Sequence, residues 1–142
     1  MNKIVFDLDG TLADCRHRLK HIEKTPRDWE KFHKACGRDS PIRAVVACYT
    51  ALHISGWRLC VWSGRCESQR PRTIKWFRKH NIPWPSQVLM RPYGDHREDT
   101  VLKARWADLL GDPWLVYDDR RRVADMWRAR GVLCCHVGGG DF

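Results

Sequence analysis

The chain has 142 residues and a mass of 16.7 kDa, which is the length of one ordinary domain. Apolar residues make up 43% of it and charged residues 30%, which excludes collagen-like, low-complexity and wholly disordered proteins. No run approaches the ~18 apolar residues of a membrane span, and the first residues lack a signal-peptide pattern, so we expect a cytoplasmic protein whose seven cysteines are free thiols, most of them buried.

The charge is strongly basic. Lys and Arg total 26 against 17 acidic residues, a net charge of +9, and Arg outnumbers Lys. The planar guanidinium suits phosphate oxygens, so the excess of Arg is consistent with a phosphate-rich partner. A genome that encodes Arg in place of Lys, with most of these side chains solvated, explains the excess equally well.

The predicted elements alternate between strands and helices. We predict strands over 3–6, 57–62, 87–90, 114–117 and 132–137. Between the first two strands we predict a helix over 16–24, a short helix capped by Thr25 and holding Trp29 and Phe32, and a helix over 42–55 started by Ser40-Pro41. Further helices are predicted over 69–80, 100–110 and 120–130, one between each later pair of strands. The tail GGGDF is too rich in glycine for regular structure. This alternation predicts an α/β fold with a parallel sheet of about five strands.

Polar residues follow three of these strands. Asp7 and Asp9 come after the first strand, Ser63 after the second, and Asp118 and Asp119 after the fourth. Functional groups of such sheets gather at the carboxyl ends of the strands, so we expect these side chains to lie close together.

The types of residue at this edge suit phosphoryl transfer. Asp7 and Asp9 are one residue apart in an extended segment, so both point to the same side, and one can attack phosphorus while the other moves the proton. Asp118 and Asp119 add oxygen ligands for a hard cation such as Mg²⁺. Gly10 allows a sharp turn, and Thr11 can cap the loop or touch a phosphate.

Binding of a phosphate also needs hydrogen-bond donors and positive charge. Ser63 and the backbone N–H groups of Gly64 and Arg65 lie at a strand-to-helix junction, where they can surround phosphate oxygens. Lys103, in the helix before the fourth strand, is placed to neutralise the charge of an aspartyl-phosphate.

The segments FDLDGTLAD and VWSGR, Lys103 and the segment VYDDR resemble the four motifs of the haloacid dehalogenase (HAD) phosphatase superfamily. The loop RPYGDHREDTVLK and the segment YDDRRRVADMWRARGVLCCHVGGGDF are similar to the 3′-phosphatase domain of phage polynucleotide kinase/phosphatase. The resemblance covers nearly the whole chain. It implies a single HAD-like domain over 1–142, a Rossmann-like three-layer sandwich, with a small helical cap or flap at 15–40.

The resemblance also implies a role for each matching residue. Asp7 is the nucleophile and Asp9 the general acid and base, and Ser63 and Lys103 bind the transferring phosphoryl group. Mg²⁺ is held by Asp7, Asp118 and the backbone carbonyl of Asp9, with Asp119 supporting the metal site. The substrate is bound by Thr11, Gly64, Arg65 and Arg18, or by Arg16 in place of Arg18.

The function implied is a Mg²⁺-dependent phosphatase that removes 3′-phosphates from nucleic-acid ends, as in nucleic-acid repair. The phage enzyme also carries a kinase domain, and this chain lacks a G-x-x-x-x-G-K-[ST] motif, so the 5′-kinase activity is not carried over. A separate kinase or ligase is a candidate partner. Two alternatives stay open. One is a phosphatase of free nucleotides, and the other is a noncatalytic module that binds nucleic acid through its basic surface.

Other residues favour structural roles. Cys15, His17 and His21 have a spacing that suggests zinc, but no fourth ligand is evident, so surface or flap positions are preferred. Cys134-Cys135, Trp76 and Trp127 are expected in the core. For Arg120, Arg121 and Arg122, a solvated helix start and contact with nucleic acid are equally good interpretations.

Overall fold

A computed structural model describes residues 2–138. The strands are β1 Lys3–Phe6, β2 Ala13–Asp14, β3 Ser40–Pro41, β4 Arg58–Cys66, β5 Gln87–Arg91, β6 Leu115–Asp118 and β7 Leu133–His136. The α-helices are α1 Trp29–Lys34, α2 Arg43–Ile54, α3 Arg70–Lys79, α4 Asp99–Leu110 and α5 Arg121–Ala129. Five strands form one parallel sheet in the order β5-β4-β1-β6-β7, which confirms the predicted sheet.

Strand β1 is the centre of this sheet and is apolar on both faces. Ile4 and Phe6 point to one face, where Tyr49 of α2 and Phe77 of α3 cover them. Val5 points to the other face and packs with residues of α4 and α5, among them Trp127. Two apolar cores on opposite faces of one sheet give the three-layer sandwich that the sequence predicts.

Most predicted core residues are buried. Trp76 and Trp127 are both in the core, as expected. Cys134 is also buried, but the same prediction is wrong for Cys135, which is exposed. Successive residues of a strand point to opposite faces, so the two neighbouring cysteines of β7 cannot share one environment.

The segment between β1 and α2 differs most from prediction. The helix expected over 16–24 is a short 3₁₀ helix, Arg16–His21. The next helix begins at Trp29, and its N-cap is Asp28, not Thr25: the Lys31 backbone N–H donates to Asp28 Oδ1 at 3.0 Å. Thr and Asp are both competent caps, so the local sequence does not decide between them.

Ser40-Pro41 does not start a helix. These two residues form β3, which pairs with Ala13–Asp14 in an antiparallel ladder, and α2 begins only at Arg43. The ladder closes the segment 15–40 into a loop over the end of β1. Within it lie α1 and two 3₁₀ helices, Arg16–His21 and Ala35–Arg38. That this segment acts as a cap stays a prediction.

Strand β4 is longer than predicted. It continues through Ser63, Gly64 and Arg65 to Cys66, with a register shift against β5 between Ser63 and Cys66. The expected irregular tail falls largely on residues 139–142, outside the described part of the chain. No helix within residues 2–138 has the length and apolar character needed to cross a membrane.

Candidate active site

The centre of the site is an ion-paired cluster at the carboxyl ends of β1 and β6. Asp7 follows β1, Asp118 ends β6, and Lys103 reaches them from α4. The Lys103 Nζ donates to Asp7 Oδ1 at 2.9 Å and to Asp118 Oδ2 at 2.7 Å. All three side chains are buried, so water screens these charges poorly.

A third carboxylate completes the cluster. Carboxylate oxygens of Asp7, Asp118 and Asp119 lie within 4.8 Å of one another. Asp119 Oδ2 is buried and has no hydrogen-bond partner in the described part of the chain. Three carboxylates face the single ammonium group of Lys103, so the cluster carries an excess of negative charge. The residues present therefore fit a divalent cation with oxygen ligands, such as Mg²⁺.

The pKa values in this cluster reflect the same imbalance. Burial raises the pKa of Asp7 well above its usual range, and the neighbouring Asp118 and Asp119 add to the rise despite the opposing charge of Lys103. Burial and the charge of Asp118 likewise raise the pKa of Asp119. For Lys103, burial works to lower the pKa, but Asp118 and Asp7 outweigh it, and the pKa is raised. Lys103 is therefore a permanent cation.

The turn after β1 positions Asp119. The Thr11 Oγ1 donates to Asp119 Oδ1 at 3.1 Å. Gly10 has a φ of +84°, and a Cβ on Gly10 would overlap the Asp119 carboxylate. Glycine is needed here both for its backbone conformation and for this close approach. The predicted contact of Thr11 with substrate stays a prediction.

Asp9 lies apart from the three-carboxylate cluster and is held by two arginines. Its Oδ1 accepts from Arg18 Nη2 at 2.7 Å and also from Arg65 Nη2. Burial works to raise the pKa of Asp9, but the charges and hydrogen bonds of Arg65 and Arg18 outweigh it and hold the pKa well below its usual range. The predicted contact of its backbone carbonyl with Mg²⁺ stays a prediction.

Asp39 is a site residue that sequence reasoning missed. The guanidinium of Arg18 donates to it twice, from Nε at 2.8 Å and from Nη2 at 2.7 Å, and Arg65 Nη2 lies 3.4 Å from it. His17 Nε2 is 2.7 Å from Asp39 Oδ1. Asp39 immediately precedes β3 and is buried beside the two arginines that hold Asp9.

The structure separates Arg18 from its alternative, Arg16. Arg18 is fully buried between Asp9 and Asp39. Arg16 is exposed and pairs with Asp14. Contact of Arg18 and Arg65 with substrate phosphate stays a prediction, and in this structure both guanidinium groups position Asp9.

The end of β4 brings the predicted phosphate-binding segment to the same place. Ser63 is buried, and its Oγ accepts from the Arg65 backbone N–H at 3.0 Å. Next to it, a Cβ on Gly64 would overlap the carboxylate of Asp99. Ser63, Gly64, Asp7 and Asp9 all line one cleft.

Asp99 is the second residue that sequence reasoning missed. It joins two cations, Arg91 Nη2 at 2.5 Å and Arg120 Nη1 at 3.0 Å. A signal was present, since Asp99 lies four residues before Lys103 and so shares its face of α4.

The cleft has a volume of about 700 Å³. Asp7, Asp9 and Asp119 are among the residues that line it. The remaining lining comes from the segment 15–33 and from the residues around Asp99 and Arg120. Arg120 and Arg122 line it and Arg121 does not, so two of the three predicted arginines face the cleft.

A buried aspartate paired with a lysine, with two further aspartates at the carboxyl end of a parallel sheet, defines the HAD class of phosphatases. The family model described as polynucleotide kinase PNKP phosphatase domain matches residues 1–142. The chain therefore belongs to this family and is a HAD phosphatase domain of PNKP type.

Solved structures agree with this assignment. A chain in the structure of a Pnkp1/Rnl/Hen1 complex is 28% identical, with a TM-score of 0.81, over 100% of this chain and 48% of that one. A second, from a Pnkp1/Rnl/Hen1 RNA repair complex, is 26% identical with a TM-score of 0.81, over 100% of this chain and 44% of that one. The present chain thus spans about half the length of these relatives.

A more distant similarity concerns the fold alone. The class C acid phosphatase from Bacillus anthracis with tungstate bound is 16% identical, with a TM-score of 0.68, over 100% of this chain and 69% of that one.

Proposed function

We propose that this protein is a Mg²⁺-dependent phosphatase that removes the 3′-phosphate from nucleic-acid ends through an aspartyl-phosphate on Asp7. The observation that carries the proposal is the buried ion-paired cluster of Asp7, Lys103 and Asp118, of which Asp7 lines an open cleft. Family membership supports the substrate class, and the net charge of +9 agrees with a polyanionic substrate.

In the first step, an oxygen of Asp7 attacks phosphorus, and the bond between phosphorus and the 3′ oxygen breaks. Asp9 gives its proton to the departing 3′ oxygen, which leaves as a hydroxyl group. Lys103 stabilises the charge of the phosphorylated Asp7, and Ser63 with the N–H groups after it binds the transferring oxygens. Asp7, Asp118 and Asp119 are the residues that would hold Mg²⁺, which supplies positive charge against the phosphoryl oxygens.

In the second step, water attacks the phosphorus of the aspartyl-phosphate, and Asp9 takes its proton. The bond between Asp7 and phosphorus breaks, inorganic phosphate leaves, and Asp7 is restored. The ion pairs with Arg18 and Arg65 keep Asp9 ionised, which suits this step. The first step needs Asp9 protonated. The negative charge of a bound phosphate dianion raises the pKa of Asp9, against the lowering effect of the two arginines, and so favours the protonated form.

We also propose that the protein works with a ligase or kinase partner. The support is that the relatives at 28% and 26% identity come from Pnkp1/Rnl/Hen1 complexes, one of them described as an RNA repair complex. Gel filtration with a purified end-sealing ligase tests this proposal, and co-elution is expected.

The substrate is tested by phosphate release from three substrates with Mg²⁺: a 3′-phosphorylated oligonucleotide, the same sequence with a 5′-phosphate, and a 3′-mononucleotide. We expect the highest kcat/KM on the 3′-phosphorylated oligonucleotide, with an advantage over the mononucleotide that shrinks as salt is raised. Equal efficiency on mononucleotide and oligonucleotide at low salt would favour a nucleotidase. Preference for the 5′-phosphate would refute the 3′ end as substrate.

A further inference from the structure

The cleft is lined by an aromatic group that the proposed chemistry does not use. Trp29, Phe32 and His33 all belong to α1 and all line it. The ring of Trp29 meets that of Phe32 edge to face, with centroids 5.7 Å apart, and lies nearly parallel to that of His33 at 6.0 Å. Trp29 is the exposed member, with 49% of its surface accessible. A large aromatic surface therefore lines a solvent-accessible cleft.

This aromatic group is tied to the reaction centre through Arg18. The guanidinium of Arg18 lies 4.6 Å from the centroid of the Phe32 ring, and its Nη1 donates to the Phe32 carbonyl oxygen at 3.3 Å. The same guanidinium binds Asp9. One buried side chain, Arg18, thus contacts both the proposed acid–base carboxylate and the ring next to Trp29. This links the position of the aromatic group to that of the reacting atoms.

The charges of the cleft add a second observation. Arg91 and Arg120 are paired with Asp99, and Arg97 with Asp95. Arg27 and Arg122 also line the cleft, are exposed, and have no carboxylate partner within residues 2–138. Two cations in a cleft with an exposed indole ring match a nucleotide chain, which offers a flat base and a phosphate at each step.

We propose that Trp29 is the platform on which the base of the 3′-terminal nucleotide stacks, while Arg27 and Arg122 bind the phosphates that precede it. The inference rests on the proposed function and adds to it a binding site for the base of the terminal nucleoside. Every base has a flat face, so a stacking platform accepts all four bases. The protein then selects a nucleoside 3′-phosphate over other phosphate esters without reading sequence.

The test compares two 3′-phosphorylated oligonucleotides that differ only in the terminal base, which is present in one and absent (an abasic sugar) in the other. The wild-type protein should lose between about 5-fold and 150-fold in kcat/KM on the abasic substrate, the range that stacking of one base provides. Trp29→Ala should bring the ratio of the two substrates close to one, and Trp29→Phe should restore most of the preference. Trp84→Ala is the matched control. Trp84 is 43% exposed, precedes β5 and is not among the residues that line the cleft, so this variant should keep the wild-type ratio.

The wild-type comparison needs no variant, so a Trp29→Ala protein that fails to fold does not remove the test. Equal turnover of both oligonucleotides by the wild-type protein would overturn the platform and leave the 3′-phosphatase function standing. Turnover of p-nitrophenyl phosphate with neither oligonucleotide hydrolysed would overturn the proposed function, and this inference with it. Arg27→Ala and Arg122→Ala should each weaken activity on the oligonucleotide more than on a 3′-mononucleotide. Equal losses of activity on the oligonucleotide and the mononucleotide would refute the proposal that Arg27 and Arg122 bind the preceding phosphates.

Discussion

Arg18 is fully buried, and two carboxylates balance its charge. Burial of an arginine costs free energy that only close carboxylates and hydrogen bonds offset. Asp39 supplies two of these bonds, and Asp9 supplies another. We therefore expect Asp39 to be a positioning residue, because it fixes the guanidinium that binds the proposed acid–base carboxylate of Asp9.

The change Asp39→Asn tests this role. The variant should lose about 3 kcal/mol of unfolding free energy, because the two hydrogen bonds from buried Arg18 lose their carboxylate acceptor and Asp9 is the one carboxylate of residues 2–138 left beside it. Its kcat should fall about tenfold or more as Asp9 loses its support. Urea unfolding and phosphate release measure the two effects. Asp112→Asn is the control, since Asp112 makes an exposed pair with Arg130, which contributes at most ~1 kcal/mol. An Asp39→Asn protein as stable and active as wild type would contradict the account.

The lowered pKa of Asp9 makes its contribution to stability depend on pH. Arg65 and Arg18 hold this pKa below its usual value despite burial, so the ionised carboxylate stabilises the fold above pH ~4, and this stabilisation is lost as the pH falls further. Asp9→Asn lacks this contribution. The difference in unfolding free energy between wild type and Asp9→Asn should therefore be largest near neutral pH and shrink below pH ~4. Urea unfolding over a pH series measures it, and a difference that grows on acidification is the opposite result.

The turn after β1 shapes the proposed metal site, because it contacts Asp119. Gly10 and Gly56 have nearly the same backbone conformation, with φ of +84° and +83°, but they differ in surroundings. A Cβ on Gly10 would meet the Asp119 carboxylate, whereas one on Gly56 would have nothing within 4 Å.

This pair gives a matched test. Gly10→Ala and Gly56→Ala should both lose roughly 1–2 kcal/mol of stability to left-handed backbone strain. Only Gly10→Ala should also lose phosphatase activity, by about a hundredfold or more, and need more Mg²⁺, because Asp119 must move. Thermal unfolding and Mg²⁺ titration of activity separate the two effects. A Gly10→Ala protein as active as Gly56→Ala would show that activity does not depend on the close approach of the Asp119 carboxylate to residue 10.

The elements also explain what the sequence could predict. Asp7, Ser63 and Asp118 each follow a short apolar run in the sequence, and parallel strands end at one edge, so their convergence follows from the pattern alone. The same pattern could not identify Asp39 and Asp99 as site residues. Burial of Asp39 depends on how the segment 15–40 crosses β1, and that segment has little apolar periodicity to fix its path. For the same reason, the sequence pattern places Trp29 in a short helix and indicates no function for it.

At the scale of the whole molecule, the protein is basic overall but its cleft is acidic at the inner end. If Asp7, Asp118 and Asp119 bind Mg²⁺ as proposed, the metal should stabilise the fold as well as support activity. Any ligand that binds only the folded state stabilises it, by about 2.7 kcal/mol at a hundred times its Kd.

Mg²⁺ should therefore raise the unfolding temperature, and EDTA should abolish phosphate release until Mg²⁺ is restored. Asp118→Asn should lose most of the Mg²⁺-dependent rise in Tm, because one of three carboxylate ligands is gone. Asp112→Asn should keep it. Differential scanning calorimetry with and without Mg²⁺ makes the comparison. Full activity in EDTA would mean that the aspartate cluster does not bind a required metal.

The central claim is that a nucleic-acid 3′-phosphate is transferred to Asp7. The most direct measurement mixes excess protein with an oligonucleotide carrying a radiolabelled 3′-phosphate and Mg²⁺, quenches with acid during the first turnover, and locates the label by peptide mapping. The label should appear on Asp7 as an acyl phosphate that hydroxylamine removes. Asp7→Asn, which is nearly isosteric, should keep the fold, carry no label and release phosphate at least a thousandfold more slowly. First-turnover release of phosphate without label on Asp7, or Asp7→Asn activity within tenfold of wild type, would contradict the account.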